Sequence, residues 1–125
     1  MSKRAIAIYP DKRLQELDID DLKDMQAVVQ GLIEPVTLRD GSTMYVNEEG
    51  LYQFGPEDVN WTAADVAGLG GRPEFMFGRP ALLGPVLFVG PVDEEGNDTD
   101  VTDTVRRWVR RVAQEAGAEW IGEKE

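Results

Sequence analysis

The densest group of side chains able to do chemistry in this chain is Tyr45-Val46-Asn47-Glu48-Glu49-Gly50. An amide and two carboxylates leaving a strand could hold a hydroxyl-rich ligand, or a magnesium ion through carboxylates and water. Tyr45 would then supply a stacking or hydrogen-bonding wall. A magnesium phosphotransferase or nuclease would need several converging carboxylates, for which Glu34, Asp40, Glu48 and Glu49 are the candidates. The plainer reading is a turn with two exposed acids and a glycine. That reading gives Asn47 and Gly50 structural jobs and sends one of Glu48 and Glu49 inward, to bond backbone amides or Tyr45.

The chain contains no histidine and no cysteine, which removes most of the groups that do covalent, acid–base and transition-metal chemistry near neutral pH. Ser2 and Ser42 have no histidine to activate them. The expectation is therefore a protein that is not an enzyme and has no cofactor and no resident metal.

Two further clusters carry charge. Arg106, Arg107, Arg110 and Arg111 fall in two adjacent rows on the solvent side of a helix of about 102–116, opposite Trp108 and Val112. Arginine forks match phosphate oxygens, so this is the best anion patch available. The competing reading is neutralisation by nearby acids, such as an Asp103–Arg107 pair. The acidic loop 93–100 has the composition of a calcium loop but lacks its ligand spacing. It reads as a solvated loop whose end caps the next helix through Asp100 or Thr102, with Asp103 opposing the helix dipole.

The 13 basic and 24 acidic residues leave a formal charge of −11 in 125 residues. Nucleic-acid binding needs clustered cations, so direct binding is not expected, and anionic membranes are equally poor partners. The apolar run around Val86–Val89 is too short to cross a bilayer, and the N-terminal residues lack the apolar core of a signal peptide, which makes the cytoplasm the expected location.

Hydrophobic patterning gives one α+β domain over 1–125, with a mixed or antiparallel sheet of about four or five strands and two or three helices, packed mainly on one face. Strands are expected at Arg4–Tyr9, Ile33–Leu38, Thr43–Val46 and within Leu82–Val89. Leu14–Ile19 is either a short strand or a connector. Helices are expected after Asp18 or Asp20 up to Gly31, from Pro56 to about Val66, and from Thr102 to Gly117. Arg39-Asp40-Gly41-Ser42 is a hairpin turn, and Gly70–Pro80 is a surface loop. The expected core holds Ile6, Ile8, Leu22, Met25, Val29, Ile33, Val36, Val46, Val86, Phe88, Val105, Trp108 and Val112.

Four segments occur in a familiar order: Gly31-Leu32-Ile33-Glu34-Pro35-Val36, Met44 to Gly50, Asn60-Trp61-Thr62-Ala63-Ala64, and Gly84 to Gly90. Over about Leu22 to Asp100 the chain resembles a domain-of-unknown-function family of short proteins from bacteriophages, archaea and bacterial mobile elements. The resemblance implies action by binding, such as sequestering a host factor, blocking a defence enzyme or modulating replication. It singles out Glu34, Tyr45, Asn47, Glu48, Glu49 and Gly50, with Asn60 and Thr62 added. The function expected is therefore a non-enzymatic interaction protein acting on a host or defence protein. A small-ligand module for a nucleotide-like molecule is the alternative. DNA mimicry by the acids of 93–103 and 115–125 is a third reading, which the arginine patch interrupts.

Overall fold

The computed structural model describes residues 2–123. Six strands form one mixed sheet: β1 (Lys3–Ile8), β2 (Arg13–Ile19), β3 (Ile33–Thr37), β4 (Ser42–Asn47), β5 (Val86–Pro91) and β6 (Glu119–Glu123). Their order across the sheet is β3-β4-β5-β1-β2-β6, antiparallel throughout except for the parallel β2–β6 pair. The helices are α1 (Leu22–Val29), α2 (Gly50–Gln53), α3 (Trp61–Leu69) and α4 (Asp103–Ala116). This is the expected α+β class, with one strand more than expected and a fourth, one-turn helix.

Alternation along the strands divides the core into two layers. Ile6, Ile8, Leu14, Met44, Val86 and Phe88 face α3 and α4, while Ala5, Ala7, Leu17, Ile19, Leu87 and Val89 face α1 through Met25 and Val29. Every residue of β5 from Val86 to Gly90 is buried, as a central strand covered on both faces must be.

Several expectations need correcting. Leu22 is 51% exposed, because α1 starts at the edge of its layer and buries only Met25 and Val29. Asp21 rather than Asp18 or Asp20 caps α1, and Gln30, in the left-handed region, takes the C-cap position expected of Gly31. A 3-10 turn (Pro56–Asp58) precedes α3, which Asn60 caps. The Gly70–Pro80 stretch is not an open loop: a 3-10 turn over Pro73–Phe77 buries Phe75 in the α3 layer. Leu14–Ile19 resolves as strand β2. The unforeseen β6 follows Gly117, whose φ of 70° turns the chain out of α4.

The hairpin forms where expected, with Gly41 at φ 90°. Asp40 then spends its carboxylate locally. It accepts bonds from the backbone and hydroxyl of Ser42 and from the hydroxyl of Thr102, each at 2.9 Å, and so ties the turn to the start of α4.

Candidate functional site

The sequence candidates divide among three places. Asn47 turns inward. Its amide donates to the Val29 carbonyl at 3.0 Å, to the Gln30 carbonyl at 3.3 Å and to Gln53 Oε1 at 3.1 Å, and its own oxygen accepts the Glu49 backbone N–H at 2.8 Å. One buried amide thereby fastens α1, β4 and α2 together. Gly50 opens α2 where an added Cβ would stand 3.3 Å from Leu83 Cβ, so close packing, rather than a positive φ, makes this position small. Glu48 and Glu49 are both exposed, so neither takes the inward role expected of one of them. Asn47 does that work instead.

Tyr45 lies on the α1 side of the sheet, and its hydroxyl donates to both Asp98 oxygens at 2.9 and 3.0 Å. Burial, reinforced by that carboxylate, holds the phenol well above its ordinary pKa. Glu34 projects on the other side. With Val36, Val46, Asn47, Glu48, Leu51, Phe75 and the segment Pro80–Leu83 it lines an open groove of about 190 Å³. Tyr45 and Glu34 therefore serve opposite faces.

Asn60 and Thr62 are buried. The Asn60 amide donates to the Ile8 carbonyl at 2.8 Å and the Gly84 carbonyl at 2.9 Å, while its oxygen accepts Ala63 N–H at 3.0 Å. Glu34, Tyr45, Asn47 and Asn60 thus do not line one pocket. Asn47 and Asn60 are each spent on backbone groups of the surrounding elements.

The arginine patch is partly neutralised. Arg106 turns toward the sheet and pairs with Glu16, which also lies 3.5 Å from Arg4. Arg111 lies 3.9 Å from Glu115 one turn on, and Arg107 donates to Thr104 Oγ1 at 3.3 Å. Arg110 stands exposed beside Trp120, in a shallow cleft with Ile6, Glu16 and Arg106.

In the acidic loop, Asp93 accepts the backbone amides of Glu95 and Asn97, and Asp100 accepts that of Arg4. Thr102 caps α4 by accepting the Val105 amide. Among the described residues no cluster of three or more carboxylates is placed to hold a metal ion.

Features that the sequence did not single out surround α2. Leu51 and Tyr52 project from it with 74% and 92% of their surface exposed. On the far side of this turn from the Glu34 groove lies a cleft of about 300 Å³, lined by Tyr9, Pro10, Asp11, Arg13, Gln30, Phe54, Glu57, Asp58, Gly84 and Pro85. The two cavities share the Gly50–Phe54 segment and the Leu83–Gly84 step as a common wall. The available signal was the Leu-Tyr-Gln-Phe run directly after the Asn47–Gly50 break, an apolar cluster without helical or strand period.

The edge of the sheet here is closed to strand addition. Leu38 N–H bonds the Ser42 carbonyl and Glu48 N–H bonds the Leu32 carbonyl, so the even-numbered residues of 32–38 turn their polar groups to β4. Ile33, Pro35 and Thr37 face outward. Pro35 has no N–H to offer, and Arg72 Nε already holds the Thr37 carbonyl at 2.8 Å.

No described helix is long and apolar enough to cross a membrane. The model of a family described as a domain of unknown function (DUF3846) matches residues 2–113, and the chain belongs to that family. No curated protein and no solved structure matches the chain.

Proposed function

We propose that this member of the family is a non-enzymatic interaction protein that binds a protein of its host through the surface around α2. The setting we propose is the cytoplasm of a cell carrying a phage or mobile element, and the charge of −11 disfavours direct nucleic-acid binding. One observation carries this reading: Leu51 and Tyr52, 74% and 92% exposed, stand between two cavities whose rims carry Glu34, Glu48, Glu57 and Asp58. Exposed apolar side chains ringed by charge are characteristic of docking surfaces, and tyrosine is over-represented among the residues that dominate binding energy. Because the β3 edge is blunted, the partner engages side chains here rather than adding a strand to the sheet.

The test is affinity capture from host lysate with the wild type and with Leu51→Ser/Tyr52→Ser, at low and high salt. The reading expects a stoichiometric protein partner that is lost from the double variant while the variant melts as the wild type does. Capture of no protein at any ionic strength, or identical capture by both proteins, overturns it.

A further inference from the structure

We infer that the cleft between Tyr9 and Phe54 is a recognition pocket for a guanidinium group, that of an arginine side chain presented by the protein partner. This rests on the docking surface proposed above and gives that surface a specific chemistry.

The cavity comes first. Its volume of about 300 Å³ admits a long side chain, and it opens between two aromatic residues. Tyr9 is fixed by donation of its hydroxyl to Gln15 Oε1 at 2.8 Å. Phe54 lies directly on Gly84, where an added Cβ would stand 2.5 Å from the ring. Gly84 itself is held from behind by Asn60, whose amide spans the Ile8 and Gly84 carbonyls. The floor is therefore built from the core outward and is formed without an occupant.

The lining then selects the ligand's charge. Asp11, Glu57 and Asp58 supply three carboxylates against the single cation of Arg13. Arg13 is already engaged by Asp11, at 2.6 Å, and Asp58 accepts the Gly55 amide at 3.1 Å. Glu57 and Asp58 have no cationic partner among the described residues. An anion entering here would meet like charge, whereas a cation would meet aromatic faces, the Glu57 carboxylate and an Asp58 carboxylate with acceptor capacity beyond the Gly55 amide.

The same cleft shows which cation suits it. The Arg13 guanidinium sits over the Tyr9 ring, 5.3 Å from its centroid. A planar, weakly hydrated guanidinium can stack on an aromatic ring and fork to a carboxylate at once, which a compact ammonium cannot do. A second guanidinium reaching Phe54 and Glu57 would repeat the arrangement that Arg13 makes with Tyr9 and Asp11. Its source is a protein because the exposed Leu51 and Tyr52 belong to α2, the turn that leads directly into Phe54 on the wall of this cleft.

The experiment is a titration of the 15N-labelled chain, followed by backbone amide shifts, with four probes. These are Nα-acetyl-arginine N-methylamide, its neutral isostere Nα-acetyl-citrulline N-methylamide, the peptide Gly-Ser-Arg-Ser-Gly, and agmatine. The capped arginine and the peptide are expected to shift Gly84, Glu57 and Asp58 saturably, with dissociation constants on the order of 1 mM. Capped citrulline should bind about tenfold more weakly, and Glu57→Gln should weaken the capped arginine several-fold, since Glu57 accepts no internal bond. Phe54→Leu should do the same. If that variant fails to fold, the citrulline comparison and Glu57→Gln still decide the matter.

Equal binding of arginine and citrulline, shifts mapping elsewhere, or no shifts up to about 50 mM would overturn the pocket, since 50 mM lies far above the expected constant. Binding of agmatine with exclusion of the peptide would overturn the protein source. Loss of partner capture in Leu51→Ser/Tyr52→Ser without any arginine binding removes this inference and leaves the docking surface. Arginine binding without any captured protein keeps the guanidinium pocket and overturns both the docking surface and the protein source.

Discussion

The side-chain amide of Asn60 reaches the carbonyl of Gly84 at 2.9 Å, and this one bond sets the start of β5 against the start of α3. The same nitrogen holds Ile8 at the end of β1, and the oxygen caps α3. Three separate backbone groups would each lose a hydrogen bond together if this side chain were shortened. Asn60→Ala should therefore destabilise the fold by about 2–4 kcal/mol, combining a lost cap with two lost hydrogen bonds to buried carbonyls. Denaturant unfolding measures this. A cost below about 1 kcal/mol would mean that water replaces the amide.

The Tyr45–Asp98 contact predicts an alkaline limit. The folded state raises the phenol's pKa, so the protonated hydroxyl contributes stability that is fully present below the unfolded value of about 10. That contribution is lost as the pH climbs through the folded value. Tyr9 is raised in the same direction, chiefly by burial. Tyr45→Phe should cost about 1 kcal/mol at neutral pH and flatten, without abolishing, the loss of stability above about pH 10. Thermal melts of both proteins from pH 7 to 11 give the answer, and parallel curves would remove Tyr45 from this role.

Asp65 on α3 is shifted in the same direction, but it is the ionised form that is present at neutral pH. Its pKa is raised, first by burial and second by Glu115 on α4, so the ionised carboxylate opposes folding. The penalty is present at neutral pH and disappears as the pH falls through the folded value and below the unfolded one, about 3.9. Asp65→Asn should raise the melting temperature at pH 7 and match the wild type near pH 3, where both side chains are neutral. Equal melting temperatures at pH 7 would contradict it.

Glu16 sits between Arg106 and Arg4, with its side chain 14% exposed. Removing the carboxylate leaves Arg106 half-buried without its acceptor. Glu16→Gln should cost about 1.5–3 kcal/mol, the range for a hydrogen bond to a charged group. Adding Arg106→Met should recover part of that, because the unpaired charge goes with it. A double-mutant cycle with zero coupling would reduce the pair to a solvated surface contact.

How much of this was legible in the sequence follows from range of interaction. The hairpin at Asp40-Gly41 and the strands Lys3–Ile8 and Val86–Pro91 answer to local turn chemistry and hydrophobic pattern, which single sequences carry. The strand β6 does not: Glu119–Glu123 becomes a strand by parallel pairing with β2, a partner about one hundred residues away. Asn47 and Asn60 stand out as residue types, but only the assembled fold shows their amides spent on distant carbonyls. The Tyr9–Phe54 cleft was illegible for the same reason, since its walls come from the first turn, α2 and the step before β5.

The block Asn47 to Gly50 supplies the last prediction. Its two glutamates are both exposed and have no bond to satisfy inside the fold. Glu48 lines the groove with Glu34 and Leu51, while Glu49 offers α2 only its backbone. Glu48→Gln and Glu49→Gln should both keep wild-type stability to within about 0.5 kcal/mol. Partner capture should weaken in Glu48→Gln and persist in Glu49→Gln, because only Glu48 belongs to the docking rim. Gly50→Val behaves differently again. Its new side chain would press on Leu83 and Phe54, and overpacking of that kind costs about 1–3 kcal/mol. Unfolding curves and capture assays on the same three variants separate these roles. If both glutamine variants capture partner as the wild type does, Glu48 is a solvated turn residue, and the groove plays no part in binding.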